Sequence, residues 1–121
     1  MLGAAKIKNL TPTQVSAMLK KGEIVLVDVR EPAEYAAGRI HGALNFPLST
    51  LDPKALPTPE HPRMVVLQCG SGVRSAKAIE ACQRLDIPVD AHLAGGINAW
   101  RAAGLPTTVF DPASGAVRDV G

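Results

Sequence analysis

Met64-Val65-Val66-Leu67-Gln68-Cys69-Gly70-Ser71-Gly72-Val73-Arg74-Ser75 is the stretch from which the fold is read. Its first four residues are apolar without alternation. Such a run is buried on both faces, as a central parallel strand covered by helices is. The glycine-containing stretch 69–73 follows, and Ser75 to Leu85 then has helical spacing, with Ile79, Cys82 and Leu85 on one face. A buried strand passing through a short loop into a helix is the start of a βαβ unit.

Outward from this unit the alternation repeats. Ile24-Val25-Leu26-Val27 is another continuous apolar run, ending at Asp28. Before it, Thr11 is an N-cap, Pro12 suits the first helical position and Gln14 completes a capping box. Leu10 and Val15 are spaced as a hydrophobic staple. Val15, Met18 and Leu19 form a stripe that Gly22 ends, which predicts a helix over 12–21. Pro32 opens a helical turn that Gly38 closes, and Ala43-Leu44-Asn45-Phe46 reads as a short strand stopped by Pro47. Five prolines between 47 and 63 make that segment a connection with one helical turn. Val89 to Leu93 is a short strand, and Asn98 to Ala103 a last short helix ended by Gly104 and Pro106. This order predicts an α/β fold with a mostly parallel sheet.

Composition narrows the function. At 121 residues the chain suits one domain. With 46% hydrophobic residues and a mean hydropathy of +0.10 it is apolar enough to bury a core. The aromatic residues are only Tyr35, Phe46, Trp100 and Phe110, and the net charge of +2 is spread along the chain. Neither a stacking platform nor a basic stripe for nucleic acid is present. No run approaches the roughly 18 apolar residues of a membrane span, and Met1 to Lys8 contains no signal-type apolar region of about 7–15 residues. A cytoplasmic, reducing setting is therefore expected, where a structural disulfide is disfavoured. Two cysteines then leave two core residues, one bridge, or one reactive thiol beside a spectator.

The loop after Leu67 bears on that choice. It leaves a buried strand at the sheet edge where open α/β folds bind ligands. Backbone N–H groups of a small-residue loop form an anion-binding nest, and a helix start adds partial positive charge. Arg74 adds a full charge, Gly70 and Gly72 supply backbone freedom, and Ser71 and Ser75 can donate hydrogen bonds to a bound sulfur or oxygen anion. A cysteine so placed has its pKa lowered from ~8.5 into the range of roughly 3.5–7.5. The bland alternative for Cys69 is a small buried residue at a strand end. Cys82, on the apolar stripe, reads as a packed core thiol rather than a redox partner. Arg74 at the positive end of a helix calls for an anionic partner, unless it only faces solvent.

The chain resembles a single-domain rhodanese, of the sulfurtransferase family, over roughly residues 6–106. The resemblance is carried by Val27-Asp28-Val29-Arg30-Glu31, by Glu34-Tyr35, by Gly38-Arg39-Ile40-His41-Gly42-Ala43-Leu44-Asn45-Phe46-Pro47, by the Cys69–Ser75 loop, and by Leu93-Ala94-Gly95-Gly96-Ile97-Asn98-Ala99-Trp100 with Gly104-Leu105-Pro106. It implies a five-stranded, mostly parallel sheet flanked by helices on both faces. It also implies that Cys69 carries a sulfane sulfur as a persulfide, taken from thiosulfate or a related donor and passed to cyanide or a thiol. Gly70, Ser71, Gly72, Val73, Arg74 and Ser75 would cradle the donor, and neither metal nor organic cofactor would be needed. Residues 1–106 would form the rhodanese domain, leaving 107–121 as a C-terminal tail, either a short hairpin or loose.

The spacing separates this reading from related folds that hydrolyse phosphate or reduce arsenate, which resemble it but place five residues between cysteine and arginine. Here four, Gly70 to Val73, intervene. Gly70 stands where many thiosulfate-using members carry a basic residue, and the start of the loop is closer to 3-mercaptopyruvate sulfurtransferases, so the donor stays open. Asp28 and Arg30 either support the floor of the site or simply form an ion pair fixing the 28–46 segment. Arg39 and His41 are either donor-recruiting or solvent-facing turn residues, and His41 forms no ligand cluster with His61 or His92. Trp100 reads as an apolar anchor over the core. The competing functions are a non-catalytic module binding a protein partner and a persulfide carrier to a protein thiol.

Overall fold

The chain was analysed as a computed structural model that describes residues 6–57 and 63–120. The start of the N-terminal stretch and part of the proline-rich connection, with Pro59, His61 and Pro62, lie outside the described residues. Strands β1 (Lys8–Leu10), β2 (Ile24–Asp28), β3 (Leu44–Asn45), β4 (Met64–Gln68) and β5 (Ala91–Leu93) form one sheet in the order β1-β5-β4-β2-β3. Every pair in it is parallel. Helices α1 (Pro12–Lys20), α2 (Pro32–Ala37), α3 (Val73–Arg84) and α4 (Gly96–Ala102) make the crossovers, with two short 3₁₀ turns at Leu48–Thr50 and Pro53–Ala55.

The apolar runs pack as two-faced strands must. Leu26 and Val66 join Val15 of α1 and Ile97 and Trp100 of α4 on one side of the sheet. Val27, Val65 and Leu67 join Ala78, Ile79 and Cys82 of α3 on the other. Successive strand residues therefore feed opposite cores, because the side-chain period of a strand is two. Each such Val or Leu contributes about 1.5–3 kcal/mol by leaving water.

The Thr11 capping box forms in both directions, with Gln14 N–H donating to Thr11 Oγ1 at 3.1 Å and Thr11 N–H to Gln14 Oε1 at 2.9 Å. Other boundaries move. The third helix starts at Val73 and stops at Arg84, so Leu85, expected on its apolar face, caps the C-terminus and is 49% exposed. Ser75, Ala78, Ile79 and Cys82 form the buried face instead. The last helix begins at Gly96, and the strand expected from Val89 begins at Ala91, although Val89 is buried. β1 lacked a strand signal, being three residues long and mostly exposed.

Residues 107–120 contain an antiparallel hairpin of β6 (Thr107–Phe110) and β7 (Val117–Val120). Two reciprocal backbone bonds between Arg39 and Thr108, of 2.9 and 2.6 Å, pin it to the body of the protein. No helix among the described residues is long and apolar enough to cross a membrane.

Candidate active site

Parallel pairing brings the C-terminal ends of three strands into register: Asp28 lies opposite Gln68, and Leu67 opposite His92. Cys69 follows directly on β4 and has no exposed surface. The chain must reverse within three residues to start α3, and Gly72 makes this possible at φ +103°, a left-handed conformation that favours glycine. The turn points the Gly72 N–H at Cys69 Sγ, 3.0 Å away.

The outer side of this loop is fixed by α4. Ile97 N–H donates to Cys69 O at 2.8 Å and Asn98 N–H to Gly70 O at 3.1 Å. The loop carbonyls are thus turned towards α4, which leaves its N–H groups for the sulfur. Gly96 makes the approach possible. At φ +60°, a Cβ on it would lie 2.3 Å from Cys69 O and 2.6 Å from Gly70 C and O. Gln68, fully buried, closes the floor by donating from Nε2 to Cys69 O at 2.6 Å.

These contacts decide the ionisation of the thiol. Burial by itself raises the Cys69 pKa. The Ser75 hydroxyl and the backbone N–H groups of Ser75, Gly72 and Ser71 outweigh it, and the pKa is lowered below the ordinary thiol value. Ser75 is fully buried with Oγ 3.5 Å from Cys69 Sγ, whereas the Ser71 side chain is exposed and Val73 is 59% exposed. Cys82, also fully buried, has burial alone, which pushes its pKa up. The thiols are free, and α3 carries Cys82 into the apolar cluster.

Arg74, expected as a positive charge at the cradle, has a partner within the chain. Its guanidinium forks onto Glu34 of α2, Nη1 to Oε1 at 2.6 Å and Nη2 to Oε2 at 3.1 Å. The Arg74 hydrogen bond lowers the Glu34 pKa to about 2. Glu34 in turn dominates Arg74, with the Cys69 thiolate a smaller attraction. The anion that a positive helix start calls for is supplied by the chain itself.

Asp28 and Arg30 form a fully desolvated pair, with Arg30 Nη2 donating to Asp28 Oδ2 at 2.8 Å and Nε to both carboxylate oxygens at 3.1 Å. Arg30 Nη2 also reaches Gly38 O at 2.6 Å, and Asn45 Nδ2 bonds the carbonyls of Asp28 and Arg30. This locks residues 28–46. Val29 N–H then donates to Gln68 O at 2.8 Å, which joins the locked segment to the base of the loop. Arg39 lies over the Tyr35 ring at 4.8 Å, and His41 is exposed; neither is brought to the sulfur. Trp100 is 4% exposed and donates from Nε1 to Pro106 O at 2.8 Å.

Sequence reasoning missed His92 and Asn9. His92 is buried on β5, with Nδ1 2.7 Å from Ser75 Oγ and Nε2 2.8 Å from Asn9 Oδ1. The one available signal was a histidine in a predicted strand that ends beside the loop.

Residues 11–103 match the rhodanese-like domain. The chain belongs to that family. It is 38% identical to an uncharacterized protein of Synechocystis over 82% of its own length and 55% of the relative's. It therefore spans about half the length of that relative. It is also 38% identical to a protein named sulfurtransferase from Allochromatium vinosum, over 69% of this chain and 78% of that one. Among solved structures, a Rhodopseudomonas palustris protein of unknown function, described as a possible tyrosine phosphatase, superposes with a TM-score of 0.69. That protein is 34% identical, with 83% of each chain covered. The five-stranded parallel sheet with helices on both faces is the fold expected of a rhodanese.

Proposed function

We propose that this rhodanese-like domain is a sulfurtransferase that carries a sulfane sulfur on Cys69. The observation that carries the reading is the sulfur itself, buried yet held 3.0 Å from a backbone N–H and beside the Ser75 hydroxyl, so that its anion is stabilised. A persulfide needs the same donors. In the first half-reaction the Cys69 thiolate attacks the outer sulfur of thiosulfate. A Cys69 S–S bond forms, the bond to the sulfonate sulfur breaks, and sulfite leaves with the electron pair. In the second, cyanide attacks the outer sulfur of Cys69–S–S⁻, releasing thiocyanate and restoring the thiolate. This is nucleophilic covalent catalysis in two steps, with ping-pong kinetics as its sign. Gly70, Ser71, Gly72 and Val73 shape the cradle, and Asp28 and Arg30 support its floor.

Phosphate hydrolysis fits less well. A tetrahedral phosphoryl group asks for an arginine free to clamp its oxygens, and Arg74 already forks onto Glu34. The same engagement favours a second donor class. A thiosulfate dianion gains little from a guanidinium held by a carboxylate, whereas a persulfide of a small thiol, with less charge, depends on it less. A protein thiol is an equally suitable acceptor.

Intact mass measured after incubation with thiosulfate, or with glutathione persulfide, tests the proposal. The protein should gain one sulfur atom and lose it to cyanide as thiocyanate. Cys69→Ser should take up none, and uptake by that variant would overturn the assignment.

A further inference from the structure

Ser75 has one hydroxyl proton and three neighbours that compete for it: His92 Nδ1 at 2.7 Å, Gly72 O at 3.2 Å and Cys69 Sγ at 3.5 Å. The far end of the chain decides the competition. Asn9 presents Oδ1, an acceptor only, to His92 Nε2. Nε2 must therefore carry the proton of the neutral ring, which leaves Nδ1 as an acceptor. The Ser75 hydroxyl donates to Nδ1, and its oxygen accepts from the Cys69 thiol. The result is an unbroken line from the sulfur through Ser75 on α3 and His92 on β5 to Asn9 on β1. We propose that His92, oriented by Asn9, is a positioning residue that draws the Cys69 proton away through the Ser75 hydroxyl.

The transfer balances within the line. The Sγ proton passes to Ser75 Oγ as the hydroxyl proton passes to His92 Nδ1, converting thiol and imidazole into thiolate and imidazolium. In the product state the Nδ1–H donates to Ser75 Oγ, Ser75 donates to the thiolate, and Nε2–H still donates to Asn9 Oδ1. Every polar atom keeps a partner in both states, so the proton can reside at either end without leaving a buried group unsatisfied. Burial lowers the pKa of His92 and so opposes the imidazolium; in the proposed product state the thiolate at the other end of the line would offset that charge. The charged groups on the elements around the ring are otherwise engaged or exposed. Lys8 on β1 and Asp90 before β5 pair with each other at 3.8 Å near the surface. Arg74 on α3 is bound to Glu34. Lys77 and Glu80, further along α3, are exposed, and β4 carries no charged residue before Cys69. Gly72 lies beside the ring, since a Cβ there would lie 3.7 Å from His92 Cε1.

The inference takes from the proposed function only that Cys69 reacts as a thiolate. Its test uses no sulfur donor. In a Cys82→Ala background the pH dependence of thiolate ultraviolet absorbance, and of alkylation by iodoacetamide, reports Cys69 alone. His92→Asn should move the thiol profile upward by about one pH unit, about tenfold slower alkylation below its inflection. Asn9→Asp places a carboxylate on Nε2–H, favours the imidazolium and should move the profile the other way, with alkylation about threefold faster. Opposed signs distinguish a proton path from mere support, because loss of packing slows both variants. Asn9 is exposed, so Asn9→Asp tests the line even if His92→Asn fails to fold. An unmoved profile in folded His92→Asn, or an Asn9→Asp profile that is unmoved or shifted upward, would overturn the proposal. Failure of thiosulfate to load the protein would sink the sulfurtransferase reading and leave these profiles as they are.

Discussion

Cys69 and Cys82 are both fully buried, yet their thiols are pushed in opposite directions. Cys82 lies on the inner face of α3 in a cluster with Ala78, Ile79 and Val89, where none of the described residues donates to sulfur and burial alone acts. Cys69 suffers the same burial, but Ser75 and three backbone N–H groups outweigh it. Removal from water therefore does not decide which thiol reacts; the donors aimed at the sulfur do. A glycine two elements away is part of that supply, because it lets α4 take up the carbonyls of the Cys69 loop.

Gly96→Ala should accordingly break the contrast most severely. The new Cβ meets backbone atoms at 2.3–2.6 Å, and the left-handed conformation adds about 1–2 kcal/mol of strain. The loop must shift away from α4, and a misplacement near 1 Å costs about a hundredfold in rate. Persulfide loading measured by mass should fall by about that factor in folded Gly96→Ala, with Cys82 unaffected. Loading at the parental rate would mean that α4 does not hold the cradle.

The two pKa shifts also give a direct contrast in pH. The lowered pKa of Cys69 makes its thiolate dominant below the ordinary thiol value of ~8.5, and the fraction falls as pH drops through the folded pKa. Cys82 is shifted the other way and stays protonated above that value. At neutral pH, peptide mapping after brief iodoacetamide treatment should find label on Cys69 in clear preference to Cys82, because the two thiols are shifted in opposite directions. Denaturation should equalise the two. Equal labelling in the folded protein would erase the distinction.

Much of this was legible in the chain. The first four residues of β2 and of β4 are all apolar, as in strands buried on both faces, and the Thr11–Gln14 box reads directly as a helix start. Cys69 was legible because the cradle is local, built from consecutive residues. The pairing of Arg74 was not legible for the opposite reason: its partner, Glu34, is forty residues away and meets it only once the fold brings α2 to the start of α3. Asn9 and His92 share that difficulty, being separated by 83 residues and joined only by the pairing of β1 with β5. Leu85 was misplaced because periodicity does not say where a helix stops. The chain ends α3 at Arg84, and the apolar side chain falls outside.

Removing the Arg74 partner is a milder perturbation than moving the loop. Glu34 has a pKa of about 2, depressed from 4.5. The stability it contributes is fully present above pH 4.5 and is lost only as pH falls through about 2. Lowering the pH therefore frees Arg74 only near 2, and a substitution is the direct way to release it. Glu34→Gln should lower the KM for thiosulfate about fivefold, the size of one partly exposed charged contact of ~1 kcal/mol, and have a smaller effect on a persulfide donor of lower charge. An unchanged thiosulfate KM would show that Arg74 has no part in donor binding.

Cys82→Ser should have the smallest effect on sulfur transfer, and it probes the quiet half of the comparison. The serine is nearly isosteric, and from a helix interior its hydroxyl can bond back to the carbonyl one turn earlier, at Ala78. What remains is the cost of a hydroxyl in an apolar cluster, about 1–2 kcal/mol. Thermal unfolding should register this as a midpoint lower by roughly 3–8 °C. Sulfur transfer should be unchanged, because both thiols share one buried cluster but no hydrogen bond among the described residues joins Cys82 to the donors around Cys69, which come from Ser75 and Gly72. A folded Cys82→Ser protein that had lost turnover would require a disulfide exchange between the thiols. The division between a reactive cysteine and a packed one would then have to be abandoned.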